Sequence, residues 1–159
     1  MFGRRKRQIE RLLLVEDEPL VAFDNEHALS DAGFEIVATV DRVAAAVAAI
    51  GAHRDIDLVI ADVRLADGSG IDVARAAHGA GMPVLFVTGS HPADGELLAE
   101  GWLAKPYNPR DLIGAIQAIE GRMAGKTPRR LPAGLRWFGE EGTRVAQLVA
   151  TRSSPAGDA

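Results

Sequence analysis

Short runs of consecutive apolar residues recur along this chain, and helical patterns lie between them. The predicted strands are Leu12–Val15, Glu35–Val40, Leu58–Ala61, Val84–Val87 and Trp102–Ala104. Continuous apolar runs are typical of strands buried on both faces of a sheet. Because helices alternate with these strands, parallel pairing is favoured. The pattern predicts an α/β fold, a doubly wound sheet of five parallel strands, with a short C-terminal tail.

Residues that begin or end helices mark the first predicted helix. Pro19 suits a first helical turn, and Gly33 is expected to end the helix. We expect its core-facing side to consist of apolar residues at helical spacing, namely Leu20, Val21, Phe23, Ala28 and Leu29.

The second and last helices also have marked ends. Asp41 is the expected N-cap of an Ala-rich helix that Gly51 ends. Its apolar side is expected to contain Val43, Val47 and Ile50. Asn108 is expected to cap the last helix, with Pro109 at its first position.

Charge is distributed unevenly along the chain. Residues 12–122 carry seven basic and eighteen acidic side chains, a net charge of −11, whereas both ends are basic. An acidic body repels phosphates, which argues against nucleic-acid binding and leaves cation binding as a reason for the acid. No apolar run approaches the roughly 20 residues that cross a membrane. The absence of cysteine excludes disulfides and thiolate metal sites and is compatible with a cytoplasmic location.

Polar side chains stand where the predicted strands end. They are Glu16 and Asp17 after strand one, Asp62 after strand three, Thr88 at the end of strand four and Lys105 after strand five. Because the carboxyl ends of parallel strands share one edge, these side chains should meet there. Three carboxylates would repel one another unless a cation neutralised them, and all-oxygen ligands suit Mg²⁺. A lysine and a hydroxyl suit phosphoryl oxygens, and an aspartate can attack phosphorus.

Four segments, in chain order, resemble motifs of the receiver domains of two-component response regulators. They are Leu13–Glu18, Val59–Leu65, Phe86–Gly89 and Ala104–Tyr107. The resemblance covers about residues 10–122 and implies a CheY-like, flavodoxin-like fold between a basic segment, residues 1–9, and a tail, residues 123–159. The run that ends in Phe86–Gly89 is also similar to the Phe-Ala-Thr-Gly signature of stand-alone receivers in bacterial stress signalling, with Val87 in place of Ala.

The resemblance implies a role for each motif residue. Asp62 matches the phosphoacceptor, Thr88 the switch hydroxyl and Lys105 the lysine of these domains, whose bond to the following Pro106 is usually cis. The implied Mg²⁺ ligands are Glu16, Asp17, Asp62 and the backbone carbonyl of Arg64. Trp102 stands where the family commonly has a rotating Tyr or Phe.

The implied function is signalling by phosphorylation. A histidine kinase or a histidine phosphotransfer protein would phosphorylate Asp62 with Mg²⁺, and the protein would catalyse only its own phosphorylation and dephosphorylation. The tail is too short for a typical winged-helix DNA-binding domain, so we expect output through a protein partner, with homodimerisation also open. One alternative is a binding module of the same fold that works without phosphorylation. Another is a haloacid-dehalogenase-type phosphatase, which needs an Asp where this chain has Arg64.

The tail leaves two readings open. Lys126–Gly134 is expected to be a linker, and Val145, Leu148 and Val149 are spaced for a short helix. Residues 135–150 are expected either to form a disordered terminus or to pack on the domain's own surface or on a second copy.

Overall fold

Six strands form one sheet in the computed structural model, which describes residues 8–127 and 130–139. The strands are β1 (Arg11–Val15), β2 (Glu35–Val40), β3 (Leu58–Asp62), β4 (Val84–Thr88), β5 (Gly101–Ala104) and β6 (Leu135–Trp137). Their spatial order is β2-β1-β3-β4-β5-β6. The first five strands are parallel, as predicted, whereas β6 runs antiparallel to β5 and was not predicted.

Helices cover both faces of the sheet. They are α1 (Pro19–Asp31), α2 (Val43–Ala52), α3 (Gly70–Gly79) and α4 (Pro109–Met123). Alternate strand residues serve two cores, since Leu12 and Leu14 pack with α1 and α4, whereas Leu13 and Val15 pack with α2 and α3. This two-sided burial explains the continuous apolar runs. None of the described helices has the length and apolar character needed to cross a membrane.

The predicted core face of α1 is wrong in part. Leu29 is buried, but Leu20 is 80% exposed and Phe23 is 67% exposed. The inward face instead follows Asn25 and Leu29, which are four residues apart, and Asn25 is a buried polar residue. Hydrophobic spacing alone could not identify this face, because an asparagine occupies one of its central positions.

The predicted start and end of α2 are also wrong. Arg42 is the N-cap residue and has no side-chain capping bond, while the Asp41 carboxylate accepts a hydrogen bond from the Arg42 side chain. Asp67 accepts hydrogen bonds from the Val43 and Ala44 amides instead, at 2.6 and 3.1 Å. A residue distant in sequence therefore accepts hydrogen bonds from the first amides of α2, and the sequence next to this helix does not predict that contact.

The other boundaries of α2 and α4 differ in how well they were predicted. Gly51 lies inside α2, which continues to Ala52, and Val47 is exposed on its outer side. The cap of α4 is confirmed, since the Asn108 side chain accepts a hydrogen bond from the Asp111 amide at 2.9 Å and Pro109 begins the helix.

The tail contributes to the sheet. Strand β6 pairs with β5, and the side chains of Leu135 and Phe138 are buried. Residues 130–134 contain neither helix nor strand. The predicted helical stripe of Val145, Leu148 and Val149 lies outside the described residues.

Candidate functional site

The polar residues at the strand ends lie together, as the topology predicts. Glu16, Asp17 and Asp62 each place one carboxylate oxygen within 4.8 Å of the other two. Glu16 and Asp17 follow β1, and Asp62 ends β3. These side chains lie close together because β1 pairs with β3, which also pairs with β4. Three acidic groups this close need positive charge nearby.

Lys105 supplies part of that charge. Its Nζ lies 2.6 Å from Asp62 Oδ2 and 3.5 Å from both Glu16 Oε1 and Glu18 Oε2. Burial alone would lower the pKa of Lys105, but the hydrogen bond and charge of Asp62 hold that pKa above its usual value. The ammonium therefore stays charged. The Lys105–Pro106 peptide bond is cis, as the resemblance implied.

Glu16 is the most constrained of the three acids. Its Oε2 accepts a hydrogen bond from the Glu18 amide at 3.0 Å, while its Oε1 is buried without a hydrogen-bond partner. Burial raises the pKa of Glu16 to about 7, and the nearby Asp62 carboxylate contributes to the rise. A buried carboxylate oxygen without a hydrogen bond, beside two further carboxylates, fits the ligand preferences of Mg²⁺.

Asp62 is held by backbone as well as by Lys105. Its Oδ1 accepts a hydrogen bond from the Arg64 amide at 3.0 Å. The backbone then makes a small hairpin, in which Arg64–Leu65 pairs with Gly68–Ser69, before α3 begins at Gly70. A Cβ at Gly70 would lie 2.1 Å from the Asp62 carbonyl oxygen, so this close approach requires glycine.

A cavity of about 550 Å³ opens over these groups. Its lining residues are Asp17, Glu18, Asp62, Arg64, Thr88, Gly89, Ser90 and Lys105. The Thr88 hydroxyl accepts a hydrogen bond from the Ser90 amide at 3.3 Å. Sequence reasoning missed the contributions of Glu18 and Ser90, although both directly follow a motif residue or its glycine.

Trp102 does not line this cavity. It lies half-buried on β5, and the His91 ring meets its ring edge-on at a centroid distance of 5.6 Å. The structure therefore puts Trp102 beside the segment that follows β4 and not beside Asp62.

A second contact that the sequence did not reveal joins α1 to the Lys105 loop. The side-chain amide of the buried Asn25 donates a hydrogen bond to the Tyr107 hydroxyl at 2.8 Å. Burial raises the pKa of Tyr107, so the phenol remains protonated. No sequence signal pairs residues this far apart.

The parallel sheet and the acidic cluster at its edge are those of a receiver domain, and a family comparison agrees. The model of the response regulator receiver domain matches residues 12–117. The chain belongs to this family.

Its relatives include larger regulators. The cell cycle transcriptional regulator CtrA of Caulobacter vibrioides is 30% identical over 128 residues, which cover 72% of this chain and 52% of that protein. The transcriptional regulatory protein PdtaR of Mycobacterium tuberculosis is 32% identical over 135 residues, covering 75% of this chain and 65% of PdtaR. This chain thus spans about half to two thirds of the length of these relatives.

Solved structures support the same fold. The Vibrio cholerae chemotaxis protein CheY4 superimposes with a TM-score of 0.63 at 27% identity, covering 70% of this chain and 98% of CheY4. A response regulator receiver protein from Sinorhizobium medicae gives a TM-score of 0.61 at 27% identity, with 71% and 95% covered.

Proposed function

We propose that this protein accepts a phosphoryl group on Asp62 from a histidine kinase or a histidine phosphotransfer protein, with Mg²⁺, and signals by binding a protein partner. The observation that carries the proposal is the 2.6 Å contact between Lys105 Nζ and Asp62 Oδ2 at the floor of an open acidic cavity. A lysine so placed meets both the carboxylate and any phosphoryl oxygen that arrives beside it.

The transfer is a displacement at phosphorus. One Asp62 carboxylate oxygen forms a bond to phosphorus while the bond from phosphorus to the donor's imidazole nitrogen breaks, and the imidazole keeps that electron pair. The Arg64 amide and Lys105 orient the two Asp62 oxygens, at 3.0 and 2.6 Å. As the donor leaves, Lys105 and the Thr88 hydroxyl interact with the phosphoryl oxygens, which stabilises their charge.

Glu16, Asp17 and Asp62 would hold Mg²⁺, together with the backbone carbonyl of Arg64. When bound, the ion offsets the negative charge shared by the carboxylates and the phosphoryl oxygens. The Oε1 of Glu16 supports this assignment, because it is buried without a hydrogen bond and the Lys105 ammonium lies 3.5 Å away, a longer distance than in a strong ion pair.

A protein donor fits the surface around the cavity. Helix α1 begins directly after Glu18, which lines the cavity, and it exposes Leu20 and Phe23. Exposed apolar side chains grouped at the rim of a site favour protein contact. The proposed donors and partners are cytoplasmic proteins, and the only chemistry proposed for this chain is its own phosphorylation and dephosphorylation.

Labelling with acetyl phosphate and Mg²⁺ tests the proposal without knowledge of the kinase. We expect the intact protein to gain one phosphoryl group that is stable in acid and labile in base. Asp62→Asn should abolish the gain, whereas Asp72→Asn, which changes an exposed carboxylate on α3, should leave it unchanged. Labelling that survives in Asp62→Asn contradicts the assignment, and no labelling of the unmodified chain favours a binding module that works without phosphorylation.

A further inference from the structure

Residues 130–138, called the strap here, cover the β5 edge of the sheet. The Ala104 amide donates a hydrogen bond to the Gly134 carbonyl at 3.0 Å, and the Phe138 amide donates one to the Glu100 carbonyl at 3.1 Å. A Cβ at Gly101 would lie 2.3 Å from the Arg136 carbonyl oxygen, so this close pairing requires a glycine in β5. The strap fits this edge specifically.

Side chains anchor the strap on both faces of the sheet. Leu135 is buried in the core that includes α4, and Phe138 is buried in the core that includes α2 and α3. Trp137 lies under the Arg122 guanidinium, whose central carbon is 4.2 Å from the ring centroid. Three residues of β6 alone would make a weak strand, so these anchors hold the strap in place.

One of the anchors contacts the segment that leaves the phosphoacceptor site. The His91 ring meets the Phe138 ring edge-on at 5.8 Å and the Trp102 ring at 5.6 Å. His91 follows Ser90, whose amide is bonded to the Thr88 hydroxyl in the cavity. Only two residues, Gly89 and Ser90, therefore separate Thr88 at the site from His91, whose ring packs against the strap.

The start of the segment that connects β4 to β5 is exposed. Between β4 and β5 the only helix is a single 3₁₀ turn, Ala93–Gly95, and Leu97 is 87% exposed. Ser90 and His91 are exposed, so the start of the segment can adjust at low cost, whereas the buried Pro92 and Gly95 fix its middle. A shift of Ser90 and His91 would change the packing of Phe138, because the His91 ring contacts Trp102 of β5 and Phe138 of the strap.

We propose that the strap is a regulatory element that phosphorylation of Asp62 loosens. The inference rests on the proposed function. The phosphoryl group draws the Thr88 hydroxyl away from the Ser90 amide, His91 leaves its position against Phe138, and the strap loses an anchor. Loosening bares the β5 edge, whose backbone groups then become available for an extended segment of a protein partner.

Thermodynamic linkage makes the proposal reciprocal. If the phosphoryl group loosens the strap, then weakening the strap must in turn favour binding at Asp62. Couplings between two sites in one domain lie typically at about 5-fold or above. Both directions are measurable with beryllofluoride and Mg²⁺, which together mimic the phosphoryl group.

Hydrogen exchange on the unmodified full chain tests the first direction. We expect the amides of Ala104 and Phe138 to exchange at least about 5-fold faster with beryllofluoride bound. The Asp57 amide, which donates to the Arg11 carbonyl at the opposite end of the sheet, is the internal control and should not change. A smaller increase or a slowing at Ala104 and Phe138 overturns the proposal.

A matched pair of variants tests the second direction. Phe34 and Phe138 are each 6% exposed, but Phe34 lies in the core that includes α1 and α4. Phe138→Ala should tighten beryllofluoride binding at least about 5-fold, whereas Phe34→Ala should leave the affinity unchanged. Equal effects of the two substitutions overturn the proposal, since they would report only a loss of core packing.

A disulfide that locks the strap allows a comparison of two forms of one variant, with the strap fixed and with it free. The chain has no cysteine, and a Cβ at Gly134 would lie 3.5 Å from the Ala104 Cβ, a separation that disulfides accept. Gly134 has a positive φ of 86°, so a cysteine there is strained, and the oxidised and reduced forms of the same variant, Ala104→Cys/Gly134→Cys, are therefore compared with each other. The oxidised form should bind beryllofluoride at least about 5-fold more weakly than the reduced form. Equal affinities overturn the proposal.

Failure of this inference is distinguishable from failure of the proposed function. If the unmodified chain binds no beryllofluoride and takes no phosphate from acetyl phosphate, the proposed function is wrong. The strap proposal is then wrong as well, because it requires phosphorylation of Asp62. If the chain binds beryllofluoride while Ala104 and Phe138 exchange at unchanged rates, only the strap proposal fails.

Discussion

Glu16 makes the stability of the cation-free protein depend on pH. Its pKa is raised from an ordinary value of 4.5 to about 7, chiefly by burial. Between these two values the folded state holds a proton that the unfolded state has lost. The contribution of Glu16 is therefore complete below pH 4.5 and is lost as pH rises to about 7. We expect the free energy of unfolding, measured by urea titration with a chelator present, to fall across this range.

Two variants isolate this effect. Glu16→Gln carries no proton to lose, so its free energy of unfolding should fall less between pH 4.5 and 7 than that of the parent chain. Glu10→Gln changes an exposed carboxylate and should keep the parent's slope. An unchanged slope in Glu16→Gln would show that another group titrates.

Gly70 offers a second test at the level of one residue. Gly70→Ala places a methyl group 2.1 Å from the Asp62 carbonyl oxygen, so the backbone beside the phosphoacceptor must move. We expect a loss of about 1–3 kcal/mol in the free energy of unfolding, and slower labelling by acetyl phosphate. Gly79→Ala at the other end of α3 meets nothing within 4 Å and should be neutral or stabilise by up to about 1 kcal/mol. Similar losses in both variants would trace the effect to helix α3 in general.

At the scale of elements, the hydrogen bond from Asn25 to Tyr107 ties α1 to the loop that carries Lys105. Tyr107→Phe removes the acceptor and leaves a buried amide without this partner, at a cost of about 1–2 kcal/mol in urea titrations. Asn25→Leu added to Tyr107→Phe should recover part of the loss, because both polar groups are then gone. Additive losses in the double variant would mean that the two residues act separately.

The elements differ in how far the sequence predicts them, and the reason is physical. Strands β1, β3 and β4 consist mainly of continuous apolar runs, which fit only a sheet that is buried on both faces. The sequence therefore predicted these three strands. The buried face of α1 was predicted wrongly in part because it includes Asn25, whose hydrogen-bond partner Tyr107 is distant in sequence. The capping of α2 failed for a similar reason, since Asp67 and not Asp41 reaches its first amides.

At the scale of the whole molecule, the parallel topology made the site predictable from the sequence, whereas the strap could not be predicted. Parallel strands align their carboxyl ends, so residues at strand ends, such as Asp17, Asp62 and Lys105, had to share one edge. Strand β6 is three residues long, too short for its alternation of apolar and polar residues to be recognised, and its pairing depends on the edge that β5 offers. The contact of Glu18 with Lys105 could not be predicted either, because an acidic run after a strand does not show which of its residues reaches the lysine.

Three carboxylates meet at this site in a body of negative net charge, so divalent cations should stabilise the whole fold. Residues 12–122 carry a net charge of −11, and Glu16, Asp17 and Asp62 bring three carboxylates within 4.8 Å. A ligand that binds only the folded state stabilises by mass action, by about 2.7 kcal/mol at 100 times its dissociation constant. For a chain of this size we expect Mg²⁺ to raise the melting temperature by about 5–10 °C.

Two controls separate binding at the site from general screening of charge. Sodium chloride at matched ionic strength screens the −11 body without occupying the carboxylates, so it should raise the melting temperature less than Mg²⁺ does. Asp17 lines the cavity whereas Glu16 is buried beneath it, so Asp17→Asn should abolish the excess effect of Mg²⁺ and Glu16→Gln should only weaken it. The reverse order would show that Glu16 is the more direct ligand. Equal melting temperatures in the two salts would mean that the fold responds to ionic strength alone, and the proposed cation site would then be wrong.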